Sequence, residues 1–300
     1  MTRFPLIMTL LVRDEADIVA YNIEHHLAQG VDHVIAIDNG SRNGTTEILE
    51  AYRDSGVLTL IREPSDEYLQ DVWATRMAHL AHERFGPCWI ISNDADEFWT
   101  AENGNLKAHI PRRGCNMVRC WRRNMITASD WLGLGAWHQS LLFRIAEPAA
   151  PPRLENPIED PLEQPFFYYD VPPKLIFFSE GLTRISRGAH DGVYTGKPRY
   201  ENSDLAIFHF PVRSRQEFAR SVRQIGGAVD RRQELPRQTS WKYRRWSRML
   251  RRHRSEERVL RDALPSASRL NADLAAGRVV RDRSLAGRLS RIGERISHFS

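Results

Sequence analysis

Three carboxylates fall within four positions in "ISNDADEFW" (Ile91 to Trp99), directly after an apolar and aromatic run. Asp94 and Asp96 stand two apart, so a turn just beyond a strand end lets both face one hard divalent ion. Such ions prefer oxygen ligands and keep waters and substrate phosphates in their shell. The pair is therefore suited to holding a metal diphosphate. Two further acidic segments end apolar runs in the same way: "VRDE" closes Leu6 to Val12, and Asp38 closes "HVIAID".

These acids need a frame that brings them together. "LIMTLLV", "HVIAID", "GVLTLI" and "CWIIS" read as strands buried on both faces, and helical spacing runs through Asp17 to Gln29, Thr45 to Tyr52 and Asp71 to Arg84. Strand alternating with helix predicts an α/β fold with a mostly parallel sheet flanked by helices. In such open sheets ligands bind outside the carboxyl ends of the strands. Three separate strand ends delivering carboxylates to one edge is a stronger signal than any one D-x-D pair.

At 300 residues and 41% hydrophobic content the chain can bury a substantial core. The run Leu6 to Val12 is too short to span a bilayer, and no small-residue cleavage site follows it. Cys88, Cys115 and Cys120 are odd in number and lack paired CxxC spacing, which argues for reduced core thiols and a cytoplasmic location, against a disulfide framework or zinc ribbon. The net charge of +5 hides an asymmetry: Arg213 to Arg254 carries fourteen Lys or Arg against three acids, a local +11, leaving about −6 for the rest. Trp241, Tyr243, Trp246, Met249 and Leu250 are interleaved there at helical steps. The block reads as a basic amphipathic helix that either packs its apolar stripe on the main domain or meets an anionic surface, a membrane or a nucleic acid.

"LLVRDEADIVAYNIEHHLAQGVDHVIAIDNGSRNGTTEILEAY" followed by "WIISNDADEFW" resembles the family 2 glycosyltransferases of the GT-A (Rossmann-like) fold, in particular the branch with a D-x-D-E-F motif. The resemblance covers residues 4–100 closely and 170–225 more loosely. It implies transfer of a sugar from a UDP- or GDP-linked donor to an acceptor hydroxyl, assisted by Mn²⁺ or Mg²⁺ and inverting the anomeric centre. Carried over residue by residue, it places Val12, Arg13, Asp14 and Glu15 beside the nucleotide base and Asp38 on the nucleoside. Asp94 goes near ribose and metal, Asp96 on the metal, and Arg76 near the nucleotide. Asn39 stands where the family often has a second acid. "GAH" puts His190 forward as the third metal ligand, with His209 as a packed strand histidine. Asp191, Glu201, Asp204 and Glu97 are candidates for the base that takes the acceptor proton, Asp191 being favoured because it follows His190.

The expected organisation is a transferase domain over 1–212, with a nucleotide-binding half (1–100) and an acceptor half (101–212), followed by a basic helical region over 213–300. A proline-rich loop, 147–173, is expected over the site, as a lid or an acceptor-binding segment. The acceptor is expected to be a saccharide or a lipid-linked carrier at the inner membrane face, met peripherally through the basic block, in envelope polysaccharide or glycolipid synthesis. A non-catalytic protein that binds nucleic acid through the basic block is the alternative; a sugar nucleotidyltransferase is disfavoured because no G-x-G-x-R loop follows the first strand.

Overall fold

The computed structural model describes residues 4–65, 69–111, 114–232, 236 and 239–297. In chain order the elements are β1 (Leu6–Val12), α1 (Val19–Ala28), β2 (His33–Asp38), α2 (Thr45–Asp54), β3 (Leu58–Arg62), α3 (Gln70–Phe85), β4 (Trp89–Asp94) and β5 (Glu97–Thr100). There follow β6 (Met117–Asn124), α4 (Trp137–Ser140), β7 (Phe143–Ile145), β8 (Lys174–Phe178), β9 (Leu182–Ile185), β10 (Gly192–Tyr194) and β11 (Tyr200–His209). The remainder is helical apart from one strand: α5 (Arg215–Arg231), α6 (Trp241–His253), α7 (Glu256–Ala263), α8 (Ala267–Ala275), β12 (Val279–Arg281) and α9 (Ala286–Ile296).

Two compact units result, and the chain passes between them more than once. One comprises Met1–Arg122, Pro172–His209 and Arg291–Ser300; the other comprises Arg123–Val171 and Phe210–Ser290.

The first unit is built on an eight-stranded sheet of order β3-β2-β1-β4-β8-β6-β11-β5. Its first four strands are parallel, as the helix-linked apolar runs require. β1 and β2 are apolar on both sides because both faces of a parallel sheet are covered. One face of Ile7, Ile35, Ile37 and Ile90 packs against Trp73, Ala74, Met77 and Ala81 of α3. Beyond β4 the pairing turns antiparallel: β4 with β8, β8 with β6, and β11 with β5. The class is the α/β, GT-A-like arrangement that the alternating pattern predicts.

The second unit holds the basic segment. Instead of one helix over 213–254 there are two, α5 and α6, with Pro236 between them; proline cannot donate to a helical ladder. Trp246 is fully buried among Phe166, Phe167 and Phe218, with Trp241, Tyr243, Met249 and Leu250 packed against the same core. Arg245 is buried with it, its guanidinium on both oxygens of Asp262 at 2.8 and 2.7 Å and on the Asp160 carbonyl at 2.6 Å. The aromatic stripe is thus core, and the exposed positions of α6 are mainly arginines, Arg248, Arg251 and Arg252.

The proline-rich stretch, 147–173, is mostly irregular, and one part of it enters a core. Phe166, Phe167 and Tyr168 form a single buried 3-10 turn in the core of the second unit. Tyr168 donates its hydroxyl to Asp273 at 2.9 Å.

Candidate active site

The sheet register sets the site. Val12 lies opposite Asp38, and Leu11 opposite Asp94, so the ends of β1, β2 and β4 stand side by side at one edge. This is the convergence that the three acidic strand ends predict.

At the β1 end, Asp14 takes a left-handed backbone, φ 59°, a conformation that aspartate tolerates better than most residues. Its carboxylate accepts the Arg42 amide at 2.7 Å, while its own amide donates to Ser41 Oγ at 2.9 Å. The next amide, Glu15 N, donates to Thr45 Oγ1 at 2.8 Å. Asp38 is buried, with Oδ1 accepting Ser41 N at 3.0 Å and Oδ2 accepting the Thr46 hydroxyl. Asp14 and Asp38 therefore shape the loop between β2 and α2 as well as standing at the acidic edge of the sheet. Asn39 has a task of its own. Its amide donates to the carbonyls of Glu63 and Ser65 at 3.1 and 2.5 Å, a task that a carboxylate cannot perform. Arg76, exposed on α3, pairs with Glu63 at 3.4 Å.

The Asp94-Ala95-Asp96 turn between β4 and β5 is held from below. Asn22 of α1, fully buried, donates both amide hydrogens to the carbonyls of Ala95 and Glu97 at 2.9 and 2.8 Å. Its oxygen accepts from Asn93 at 3.0 Å, and Asn93 in turn accepts the Trp99 indole N–H at 2.8 Å. His26 completes the network: it accepts the Trp99 amide on Nε2, so its Nδ1 donates to the Asn22 carbonyl. Burial pulls its pKa to about 4, which keeps the ring neutral.

Lys174, at the start of β8, was missed by sequence reasoning. It is 1% exposed, and its ammonium lies 2.5 Å from Asp94 Oδ2 and 2.6 Å from Glu97 Oε2. Glu97, 0% exposed, also takes Arg122 at 3.0 Å, and Arg122 reaches the Pro172 carbonyl. Burial opposes the charge on Lys174, but Asp94 and Glu97 outweigh it, and the net pKa shift is upward. A lysine opening an otherwise apolar strand, "KLIFF", was the available signal. Glu97, committed to two cations inside the protein, is poorly placed to serve as a base.

Asp96 pairs with His209 of β11, Oδ2 to Nε2 at 3.3 Å. His190 follows a turn in which Gly188 has φ 74° and Ala189 φ 56°. A Cβ at position 188 would come 2.6 Å from His190 Nε2, so glycine is needed for the ring to lie there. His190 Nδ1 donates to the Pro173 carbonyl at 2.9 Å. Burial, with Arg122 and Lys174 nearby, lowers its pKa to about 4. The result is a neutral imidazole protonated on Nδ1, the tautomer that a backbone-oriented metal ligand adopts. The donor chemistry of Asp94, Asp96 and His190 fits a divalent cation. Among the described residues, however, no three His, Cys, Asp or Glu side chains are already gathered tightly enough to cage one.

Asp191 is exposed, with Oδ1 accepting the Tyr200 hydroxyl at 2.7 Å and the Gly192 amide at 2.8 Å. Asp204 is tied to His109 at 2.8 Å, which holds its carboxyl below the usual range. Glu201 is exposed on β11.

No family model matches the sequence, and no curated protein matches it. Among solved structures the chain is similar to S. aureus TarS 1-349, with 12% identity, 79% of this chain and 74% of that chain covered, and a TM-score of 0.45. TarS 1-349 in complex with UDP-GlcNAc is similar over 83% of this chain and 73% of that chain, with 11% identity and a TM-score of 0.40. A mycobacterial protein is similar over 40% of this chain and 41% of that chain, with 17% identity and a TM-score of 0.28. Among the described residues no helix is long and apolar enough to cross a membrane.

Proposed function

We propose that the chain is a nucleotide-sugar-dependent glycosyltransferase. The observation that carries this reading is the register that sets Asp38 and Asp94 on either side of the β1 end, at the carboxyl ends of parallel strands, with the Asp94-Ala95-Asp96 turn clamped by Asn22. A rigid acidic edge at the mouth of a parallel sheet suits a nucleoside diphosphate brought in with a cation.

In this reading Asp38 and the Val12 to Glu15 segment border the nucleoside, and Asp94, Asp96 and His190 hold Mn²⁺ or Mg²⁺. When bound, the cation supplies charge stabilisation to the departing diphosphate. Lys174 holds Asp94 in place from the protein side. Asp191, next in sequence to His190, takes the proton of the acceptor hydroxyl as an inverting transfer requires. A peripheral contact with an anionic membrane belongs to the same proposal, resting on the charge of α5 and α6.

Calorimetry of UDP and GDP with and without Mn²⁺ tests it. Asp96→Asn should weaken Mn²⁺-dependent nucleotide binding by about tenfold or more, the scale of one charge-assisted contact. Asp38→Ala should weaken binding in both conditions. Unchanged Mn²⁺-dependent affinity in Asp96→Asn would sink the assignment.

A further inference from the structure

Few large apolar side chains among the described residues are strongly exposed, and three of them, Trp121, Val193 and Tyr200, lie on β6, β10 and β11 of the first unit. Trp121 lies two residues beyond Arg119 on β6, hence on the same face of the sheet, about 7 Å further along. Arg119 stacks its guanidinium over the Tyr200 ring at 5.1 Å and donates to Asn202 Oδ1 at 3.3 Å. Tyr200 in turn fixes Asp191 through its hydroxyl, and Val193 stands two residues on from Asp191.

Both aromatic rings are open to water, Trp121 at 48% and Tyr200 at 41% exposure. Tyr200 is bordered by groups that donate or accept hydrogen bonds in fixed directions, and Arg119 links it to the β6 face that carries Trp121. That combination has a specific complement. A pyranose ring has an apolar face of C–H bonds, which packs on an aromatic plane, and a rim of hydroxyls, which needs donors and acceptors around that plane. A purely apolar partner would leave Arg119 and Asp191 desolvated and unmatched. A polyanion would meet Asp191 as a like charge.

We propose that Trp121 and Tyr200, edged by Arg119, Asn202 and Asp191, form a saccharide-binding platform that seats the acceptor sugar. The inference rests on the transferase reading and adds to it the chemical class of the acceptor and the surface that receives it. The platform also gives Asp191 its substrate: a sugar packed on the Tyr200 ring face away from Arg119 brings its hydroxyls toward the carboxylate that Tyr200 orients.

The test uses the full chain against an array of immobilised oligosaccharides, with calorimetry of UDP and GDP in the presence of Mn²⁺ run in parallel. The wild type should bind a subset of the array. Trp121→Ala should reduce that binding about tenfold, the loss of one stacked ring, while Trp121→Phe retains it and nucleotide affinity is unchanged in both. Nucleotide binding without any saccharide binding by the wild type overturns the platform and leaves the transferase reading standing. So does saccharide binding that survives Trp121→Ala. A concentration-dependent dimer that dissolves in Trp121→Ala would assign the surface to a second copy of the chain instead. Saccharide binding without nucleotide binding overturns the acceptor role together with the transferase reading.

Discussion

Replacing Lys174 with Met removes the ammonium from a buried charge cluster while preserving most of the side chain's volume. Two contacts are lost. The contact to Asp94 is to a carboxylate 37% exposed, so solvent screening limits it to under about 1 kcal/mol. The contact to Glu97 is between groups 1% and 0% exposed. Stripping the partner from a buried ion typically costs 3–5 kcal/mol. Arg122 remains at 3.0 Å to carry part of that charge, which places the expected loss near the lower end, about 3 kcal/mol. In thermal unfolding this is a drop of roughly 6–12 °C. Because the Lys174 pKa is raised above 10.5, its contribution is fully present at neutral pH and is lost only as pH rises through the folded-state value. The deficit of the variant should therefore be constant from pH 6 to pH 9. Glu97→Gln in the same chain should recover a kcal/mol or more, because the uncompensated charge is gone. A loss below about 1 kcal/mol, or strictly additive effects of the two substitutions, would refute Lys174 as the buried partner of Glu97.

Three further outcomes are expected. His26 and His190, with pKa values of about 4 against 6.5 unfolded, bind fewer protons folded than unfolded; each should cost up to about 3 kcal/mol as pH falls from 6.5 to 4, and ring NMR titrations should show both neutral at pH 6. Asn22→Asp should destabilise more than Asn22→Ala in chemical denaturation, since it sets a carboxylate against the Ala95 and Glu97 carbonyls, whereas the alanine leaves them unpaired at about 2 kcal/mol or more. Sedimentation with anionic and neutral liposomes should show binding that needs the anionic lipid and fades with salt, because the Trp246 indole is inside the core and cannot anchor in the interface.

The parallel half of the sheet was legible because its strands are uniform apolar runs. "LIMTLLV" and "HVIAID" coincide with β1 and β2 to the residue, and their acidic ends mark the edge that the register assembles. Lys174 and Arg122 were hidden because a charge becomes a core residue only through partners distant in sequence, here 80 and 25 positions away. Spacing carries no trace of that pairing. Asn22 was invisible for the same reason: on α1 it reads as a polar interruption, and only the fold puts the turn after β4 within its reach. The aromatic stripe of α6 was seen, but helical periodicity alone does not say whether a stripe faces water, lipid or core; Phe166 and Phe167 decide that.

The last helix has a consequence for how the protein is made. Residues 291–297 belong to the first unit, where Gly293 lies so close to Tyr21 that a Cβ would fall 2.7 Å from its hydroxyl, and Arg295 reaches Glu24 at 3.5 Å. Synthesis runs from the N-terminus, so α1 is out of the ribosome long before its partner at 293 exists. The second unit, whose segments end at residue 290, has all of its chain first. The sheet that carries the acidic edge therefore waits, incompletely covered at α1, until the final turns of α9 emerge. A ribosome that stalled just past residue 290 would release a chain whose second unit is whole and whose first is not.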